Sequence, residues 1–265
     1  MALLGLVAGL LLGSFIAALT LRWPAGRSIV RASSTAGGSI HFARSQCDSC
    51  GTTLTARDLV PVFSFSLLRG RCRHCAAAIA PRHLWIELAA AGIGALALGL
   101  HPGLPGIAGA LFGWGLLALA ILDAEHFWLP DRLVLPLLAT GLLAAAWLAP
   151  PLPERLIGAA SGYASLALIA LAYHAATGRK GLGGGDPKLF AAIGAWLGWQ
   201  LLPFVLLLAA TLGLLLAAIH AARGRAIGRQ TRVPLGALLA IAAWPLWLLL
   251  PAGLSSTAPL AMRFP

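Results

Sequence analysis

The sequence predicts an all-α polytopic membrane protein with about eight transmembrane segments and a small loop domain between the first two. Of 265 residues, 59% are hydrophobic and only 10% are charged, whereas soluble domains average about 25% charged residues. Apolar runs close to the roughly 20 residues that a spanning helix needs recur along the chain. All four cysteines fall in a single interval between the first two runs.

The predicted segments are 2–21, 84–100, 106–122, 132–149, 156–175, 188–200, 201–222 and 234–250. The sixth is unusually short, because a helix of that length covers only about 20 Å of a hydrocarbon core about 30 Å thick. We therefore expect it to be tilted, broken or only partly inserted. The first run resembles a cleavable signal peptide, but it lacks a basic start and ends at Arg22-Trp23, which is typical of a membrane boundary. The predicted division is 1–22 first segment, 23–83 loop, 84–251 membrane core and 252–265 tail.

The basic residues predict the orientation of the chain in the membrane. The net charge is +11, and Lys and Arg cluster in alternate loops, as the positive-inside rule expects for cytoplasmic loops. With residue 1 outside, only Arg155 and Arg263 of the 19 basic residues fall on the outer side. A nucleic-acid-binding patch is the alternative explanation of the charge, but it does not account for this alternation.

The cysteines form two CxxC pairs, Cys47/Cys50 and Cys72/Cys75. Each pair places two thiolates on one turn, and two such turns can surround a zinc ion tetrahedrally, which predicts a structural site with no open position. The predicted cytoplasmic placement favours metal over disulfides, which are the alternative. His74 lies inside the second turn and is an alternative ligand.

Two aspartates, Asp123 and Asp186, are predicted to form a catalytic pair. Carboxylates at the ends of apolar segments are costly to keep, so a functional role is their default interpretation. Two carboxyls that share one proton can divide hydrolysis: one takes a proton from water and the other polarises the scissile carbonyl. Asp131 is an alternative partner for Asp186, although its Leu-Pro-Asp context is more typical of a helix start. Carboxylates that merely reach for water at loop ends are the non-functional alternative.

Glycines precede the second aspartate, at Gly183, Gly184 and Gly185. Glycine permits backbone conformations that other residues avoid and allows close approach of an extended substrate strand. Pro187 suits the first turn of a following helix. A flexible linker is the alternative interpretation, and Lys188 is expected to neutralise nearby carboxylates.

In this order the motifs resemble those of the type IV prepilin peptidase family, which are GxGD aspartyl proteases. The matching stretches are GLLLGSF at 9–15, LLRGRCRHC at 67–75, LDAEHFWLPD at 122–131, GGGDPKL at 183–189 and VPLG at 233–236. A GxGD element alone is a weak signal, but the ordered set is specific.

The resemblance implies a bacterial inner-membrane endopeptidase that cleaves type IV prepilins or type II secretion pseudopilins after a glycine that ends a short basic leader, on the cytoplasmic side. It also implies N-methylation of the new N-terminus with S-adenosylmethionine, for which the sequence shows no glycine-rich nucleotide fingerprint. The implied residues are catalytic Asp123 and Asp186, substrate-binding Gly183, Gly184, Gly185 and Lys188, and zinc ligands Cys47, Cys50, Cys72 and Cys75.

Two other functions remain open from the sequence. A membrane scaffold whose zinc loop recruits a partner would need the cysteines and not the aspartates. Another GxGD protease that cuts transmembrane substrates within the bilayer would need the aspartates but no basic leader. A proton-coupled transporter is disfavoured, because the chain shows no pair of inverted repeats.

Overall fold

The computed structural model describes residues 1–24, 30–32, 40–42, 47, 49–53, 55, 62–179, 181–224 and 233–249. The predicted tail, 252–265, lies outside the described residues, as do most residues between 25 and 61. The chain forms two compact units, Met1–Pro102 and Gly103–Pro265.

The first unit is built on two antiparallel apolar helices of similar length, α1 (Ala2–Arg22) and α3 (Arg82–Leu100). They approach closely because α1 carries glycine every fourth residue on one face: a Cβ on Gly5 would meet the Gly94 carbonyl oxygen, and one on Gly9 would meet that of Ala90. Small residues at this spacing let two helix backbones come into contact in a membrane protein. Between the helices lie a two-stranded antiparallel ribbon, β1 (Val30–Ala32) and β2 (Ile40–Phe42), and a short helix, α2 (Phe63–Leu67). The ribbon is a small addition to the predicted all-α fold.

Polar contacts tie the ends of this helix pair together. The Arg82 guanidinium donates to the Ala17 carbonyl oxygen at 3.1 Å and to the Thr20 hydroxyl at 2.7 Å. Glu87, which is buried, accepts a hydrogen bond of 2.9 Å from the backbone N–H of Val62. Val62 has a φ of 62°, a strained value for a β-branched residue, so this contact fixes the end of the loop against α3.

In the described part of the second unit there are six helices: α4 (Leu104–His126), α5 (Asp131–Leu143, extended by a 3₁₀ turn at Ala144–Ala146), α6 (Leu152–Thr177), α7 (Asp186–Leu197), α8 (Leu202–Ala222) and α9 (Leu235–Leu248). The short helix α7 lies at the centre, against α5, α6 and α9. Every residue from Leu189 through Gly198 is buried. Gly158 and Gly194 bring α6 and α7 into backbone contact, and the Phe112 and Trp196 rings stack with centroids 4.8 Å apart.

Helices occupy all eight predicted positions, but the count of eight membrane crossings is not confirmed. Among the described residues, five helices are long and apolar enough to span: α1, α3, α4, α6 and α8. The other three have 13, 12 and 14 residues, and a 14-residue helix covers only about 21 Å. For α7 the expected shortfall has a physical explanation, because it is enclosed by neighbouring helices and need not match the thickness of the lipid.

Arg155 has a role that its sequence position did not indicate. It lies in the first turn of α6, is only 1% exposed, and donates to five backbone carbonyl oxygens. Two of these, on Gly141 and Ala195, belong to the last turns of α5 and α7, where helical carbonyls have no partner within their own helix. The residue is therefore an internal cap, which explains why it departs from the charge pattern of the loops.

Candidate active site and metal centre

Asp123 lies in the last turn of α4. The helix ends three residues later, where Phe127 adopts a left-handed φ of 51° and its N–H bonds to the Asp123 carbonyl oxygen at 2.9 Å. Such a left-handed cap is a common helix terminus. The side chain is 5% exposed, so the carboxyl group is held inside the unit and does not reach into a loop.

Asp186 is the first residue of α7 and is 7% exposed. Its Oδ2 accepts a hydrogen bond of 3.0 Å from the Gly183 N–H, and its own N–H returns one of 3.3 Å to the Gly183 carbonyl oxygen. This reciprocal pairing closes the glycine loop on the aspartate and fixes the carboxyl group at the helix start. Pro187 follows in the first turn, as predicted from its missing N–H.

The two aspartates meet at the first turn of α9. Asp123 Oδ2 accepts a hydrogen bond of 2.8 Å from the Ala237 N–H. The Gly236 backbone lies close enough to interact electrostatically with both carboxyl groups, and Asp123 lies close enough to Asp186 for their charges to interact. The structure thus brings together the two aspartates that the sequence paired, 63 positions apart, beside the first turn of α9. Two buried carboxyls in this arrangement can share a proton, because one suppresses the ionisation of the other.

The three glycines before Asp186 serve different purposes. A Cβ on Gly185 would lie 2.7 Å from the Leu129 Cβ, and one on Gly183 would lie 3.1 Å from the Asp186 Oδ2. No atom lies within 4 Å of the corresponding position at Gly184. None of the three has a left-handed φ, so the expectation of backbone conformations forbidden to other residues is wrong here. Gly183 and Gly185 instead leave room for neighbouring side chains to pack closely. Gly184 faces an open side of the loop.

Asp131 and Lys188 pair with each other. Lys188 Nζ lies 2.8 Å from both carboxylate oxygens of Asp131, and the two side chains are 40% and 52% exposed. The expectation that Lys188 neutralises a nearby carboxylate fits this contact. Asp131 begins α5, as its sequence context predicted, and its engagement by Lys188 leaves Asp123 as the partner that lies against Asp186.

The four cysteines form one cluster. Their sulfur atoms all lie within 4.8 Å of one another, and Cys47 and Cys75 Sγ are 3.8 Å apart. Sulfurs held tetrahedrally at about 2.3 Å from zinc are about 3.8 Å apart, so the donor set fits such an ion. All four thiols are free, and the only such group found among the described residues omits His74.

The two CxxC turns share one backbone geometry. In the first, Cys47 N–H bonds to the Thr52 carbonyl oxygen and its carbonyl accepts from Gly51 N–H; in the second, Cys72 bonds in the same way to Ala77 and Ala76. The fourth residue after each first cysteine has a left-handed φ, 68° at Gly51 and 58° at Ala76. The chain therefore repeats one CxxC turn with a different residue at its strained position.

The electrostatics of the thiols favour a cation among them. Hydrogen bonding to the side chain and backbone of Thr52 lowers the pKa of Cys50 to about 6. A backbone hydrogen bond at Ala77 acts in the same direction on Cys75, but desolvation and the other three thiols outweigh it and raise the pKa of Cys75 to about 12. One thiol thus ionises readily, and its negative charge disfavours ionisation of the next thiol. A bound dication would compensate this repulsion between thiolates.

Three residues at the aspartate pair were not identified as site residues from the sequence. Leu129 packs against both Gly185 and Gly236. The Ala237 N–H bonds to Asp123, and Gly236 lies against the same carboxyl. The stretch 233–236 was noted only as a matching block. Pro234 ahead of an apolar run signals a helix start, but no side chain there indicates where the free amides of that turn point.

Comparisons with known proteins show which proteins the chain resembles. The family model of the type IV leader peptidase family matches residues 110–218, and that of the bacterial peptidase A24 N-terminal domain matches residues 7–100. A prepilin leader peptidase/N-methyltransferase of Pseudomonas aeruginosa is 42% identical over 203 residues, 76% of this chain and 69% of that protein. The protein of the same name from Stutzerimonas stutzeri is 36% identical over 257 residues, 91% of this chain and 88% of its own. No solved structure matches the chain.

Proposed function

The chain belongs to the type IV leader peptidase family, and we propose that it is a membrane aspartyl endopeptidase that cleaves the leader of type IV prepilins or type II secretion pseudopilins after a glycine. The observation that carries this proposal is the burial of Asp123 and Asp186 beside the first turn of α9. Aspartyl hydrolysis needs two carboxyls in different protonation states, and two buried carboxyls that lie close together are suited to share one proton.

The reaction needs only these two side chains and a water molecule. The ionised carboxyl takes a proton from water, and the water oxygen attacks the carbonyl carbon of the leader glycine. The protonated carboxyl donates a hydrogen bond to the carbonyl oxygen and stabilises the charge that develops there. Collapse of the tetrahedral intermediate breaks the C–N bond, and a proton passes from the carboxyl pair to the leaving amine. One water is consumed, and the pair returns to its starting protonation.

The glycine loop is proposed to receive the substrate. Gly184 faces open space, so an extended peptide can lie against its backbone without meeting a side chain, while Gly183 and Gly185 hold the loop in place. Lys188, two residues after Asp186 and paired with Asp131, is proposed to border the same path. Together they are the substrate-binding set Gly183, Gly184, Gly185 and Lys188.

The cysteine cluster is proposed to hold a structural zinc ion through Cys47, Cys50, Cys72 and Cys75, all as thiolates. Bound there, the metal would tie the two CxxC turns together and contribute much of the folding free energy of a loop with little core of its own. The positive-inside pattern supports a cytoplasmic position for the loop and the aspartates in a bacterial inner membrane.

Methyl transfer is the second proposed activity. It rests on the relatives named prepilin leader peptidase/N-methyltransferase, with S-adenosylmethionine as the methyl donor. The described residues contain no arrangement that we assign to that donor, and the proteolytic step above does not depend on it.

The test is cleavage of a purified prepilin by the purified protein in detergent, with mass spectrometry of the product. Asp123→Asn and Asp186→Asn are each expected to lower kcat by at least about a thousandfold, with Glu154→Gln as the control carboxyl. Cleavage after the leader glycine supports the proposal, and an added methyl group supports the second activity. Wild-type rates in both aspartate variants would remove the dyad, and cleavage inside the apolar stretch would favour an intramembrane protease of another kind.

A further inference from the structure

We propose that the first turn of α9 is a positioning element of the catalytic centre, and that Gly236 must lack a side chain so that Asp123 keeps its place against this turn. This inference rests on the proposed function, because it concerns the same two carboxyls. The start of α9 would then be a third segment of the site, beside the two segments that carry Asp123 and Asp186.

The backbone N–H groups in the first turn of α9 are available to donate hydrogen bonds to the carboxyl groups. The first intrahelical hydrogen bond of α9 runs from the Leu238 N–H to the Pro234 carbonyl oxygen, at 3.2 Å. The preceding amides therefore have no acceptor within the helix. Ala237 N–H donates to Asp123 Oδ2 at 2.8 Å, and Gly236 lies directly against the same carboxyl, with its Cβ position 3.0 Å from Asp123 Oδ2. The Gly236 backbone also interacts electrostatically with Asp186. The start of α9 therefore lies against Asp123 and close to Asp186.

The space around Gly236 is fully used. A Cβ there would lie 3.0 Å from Asp123 Oδ2, 3.1 Å from Asp123 Cγ and 2.8 Å from Leu129 Cδ1. The leucine methyl group is the end of a flexible side chain and can rotate away. The carboxyl cannot move without lengthening its hydrogen bond to Ala237. A methyl group at position 236 therefore acts mainly on Asp123.

Leu129 connects this turn to the other motif. It fills the space left by Gly236, and its Cβ lies 2.7 Å from where a Cβ of Gly185 would be. Gly236, at the start of α9, and Gly185, in the loop that ends at Asp186, thus both pack against Leu129. This packing fixes the position of the Gly236 backbone relative to both aspartates. Preorganised donors of this kind need no rearrangement when charge develops during the reaction.

The alternative is that Gly236 serves packing alone, and three variants separate the two explanations. Gly236→Ala adds a methyl group against both Leu129 and Asp123. Leu129→Ala removes the leucine contact, and the double variant Leu129→Ala/Gly236→Ala keeps only the contact with the carboxyl. Gly92→Ala is the matched control, because Gly92 also lies within a helix, in α3, and nothing lies within 4 Å of its added Cβ.

The experiment measures kcat, KM and thermal stability for prepilin cleavage by each purified variant. Gly236→Ala is expected to lower kcat by about tenfold or more, since small displacements of reacting groups have large effects, with KM within about twofold. The double variant is expected to stay about tenfold below Leu129→Ala, and Gly92→Ala to match wild type. If the double variant has the kcat of Leu129→Ala, packing alone explains the glycine and the proposal is overturned.

Different results would overturn the proposed function and the role of Gly236. If Asp123→Asn is active, the proposed function is wrong. If Asp123→Asn is inactive while Gly236→Ala, still folded, cleaves with a wild-type kcat, the function stands and this inference does not. If Gly236→Ala alone fails to fold, the double variant decides, because it relieves the leucine contact and retains the carboxyl contact.

Discussion

Lys188 Nζ lies 2.8 Å from both carboxylate oxygens of Asp131, which joins the start of α7 to the start of α5 beside the aspartate pair. Both side chains are substantially exposed. An exposed pair between a flexible lysine and a carboxylate typically contributes little to stability. The contact therefore orients two helix starts without dominating the energy of either.

Asp131→Asn is expected to keep kcat within about fivefold of wild type, because solvent screens the pair and the reacting carboxyls lie elsewhere. The measurement is prepilin cleavage at low and high salt, and the small defect should become smaller still at high salt, where the wild-type pair is itself screened. A loss as large as that of Asp123→Asn would instead restore Asp131 as a member of the dyad.

Arg155→Met is expected to destabilise the second unit by about 3 kcal/mol or more, since several buried carbonyls lose a charged donor at once. Arg155→Lys is expected to recover little of this, because an ammonium cannot reproduce a planar guanidinium that reaches five acceptors. Thermal unfolding in detergent measures both. Arg132→Met, at an exposed position in the first turn of α5, is the control, and equal effects at the two arginines would contradict the assignment of Arg155 as an internal cap.

The sequence predicted the positions of the helices well, because apolar runs broken by charge and proline determine where a membrane chain can bend. The sequence also paired Asp123 with Asp186, because each lies at the boundary of an apolar run on the same predicted side of the membrane. The sequence also showed that α7 is too short to span the lipid. It did not show that other helices enclose α7, with glycine contacts at Gly158 and Gly194, because that enclosure depends on packing between distant segments.

What sequence reasoning missed has a common physical origin. Gly236 and Ala237 act through the backbone, which every residue possesses, so no residue type marks them. Arg155 looked like a loop charge, because the acceptors that enclose it are also backbone groups, contributed by three segments. Side-chain chemistry at fixed spacing, as in the CxxC turns, leaves a pattern in the sequence, and backbone chemistry does not.

The purified protein is expected to contain one zinc ion per chain by elemental analysis. Cys72→Ser should lose the metal and lower thermal stability more than it lowers the kcat of the molecules that remain folded, because four thiolates leave no open coordination position for chemistry. Ser49→Ala, between the first two cysteines, is the control and should retain the metal. A Cys72→Ser protein that is fully folded, free of zinc and inactive would contradict a purely structural role.

The repeated turn allows a matched test of its strained position. Gly51→Ala places a side chain at a φ of 68° with nothing within 4 Å, so only backbone strain of about 1 kcal/mol opposes it, equivalent to about fivefold weaker zinc binding. Ala76→Gly makes the reverse change at a φ of 58°. It should bind zinc as tightly as wild type or slightly more tightly, because relief of strain offsets the greater freedom of glycine in the unfolded chain. Zinc affinity measured by competition with a chromogenic chelator compares the two, and equal weakening in both variants would mean that the turns do not share one geometry when the metal is bound.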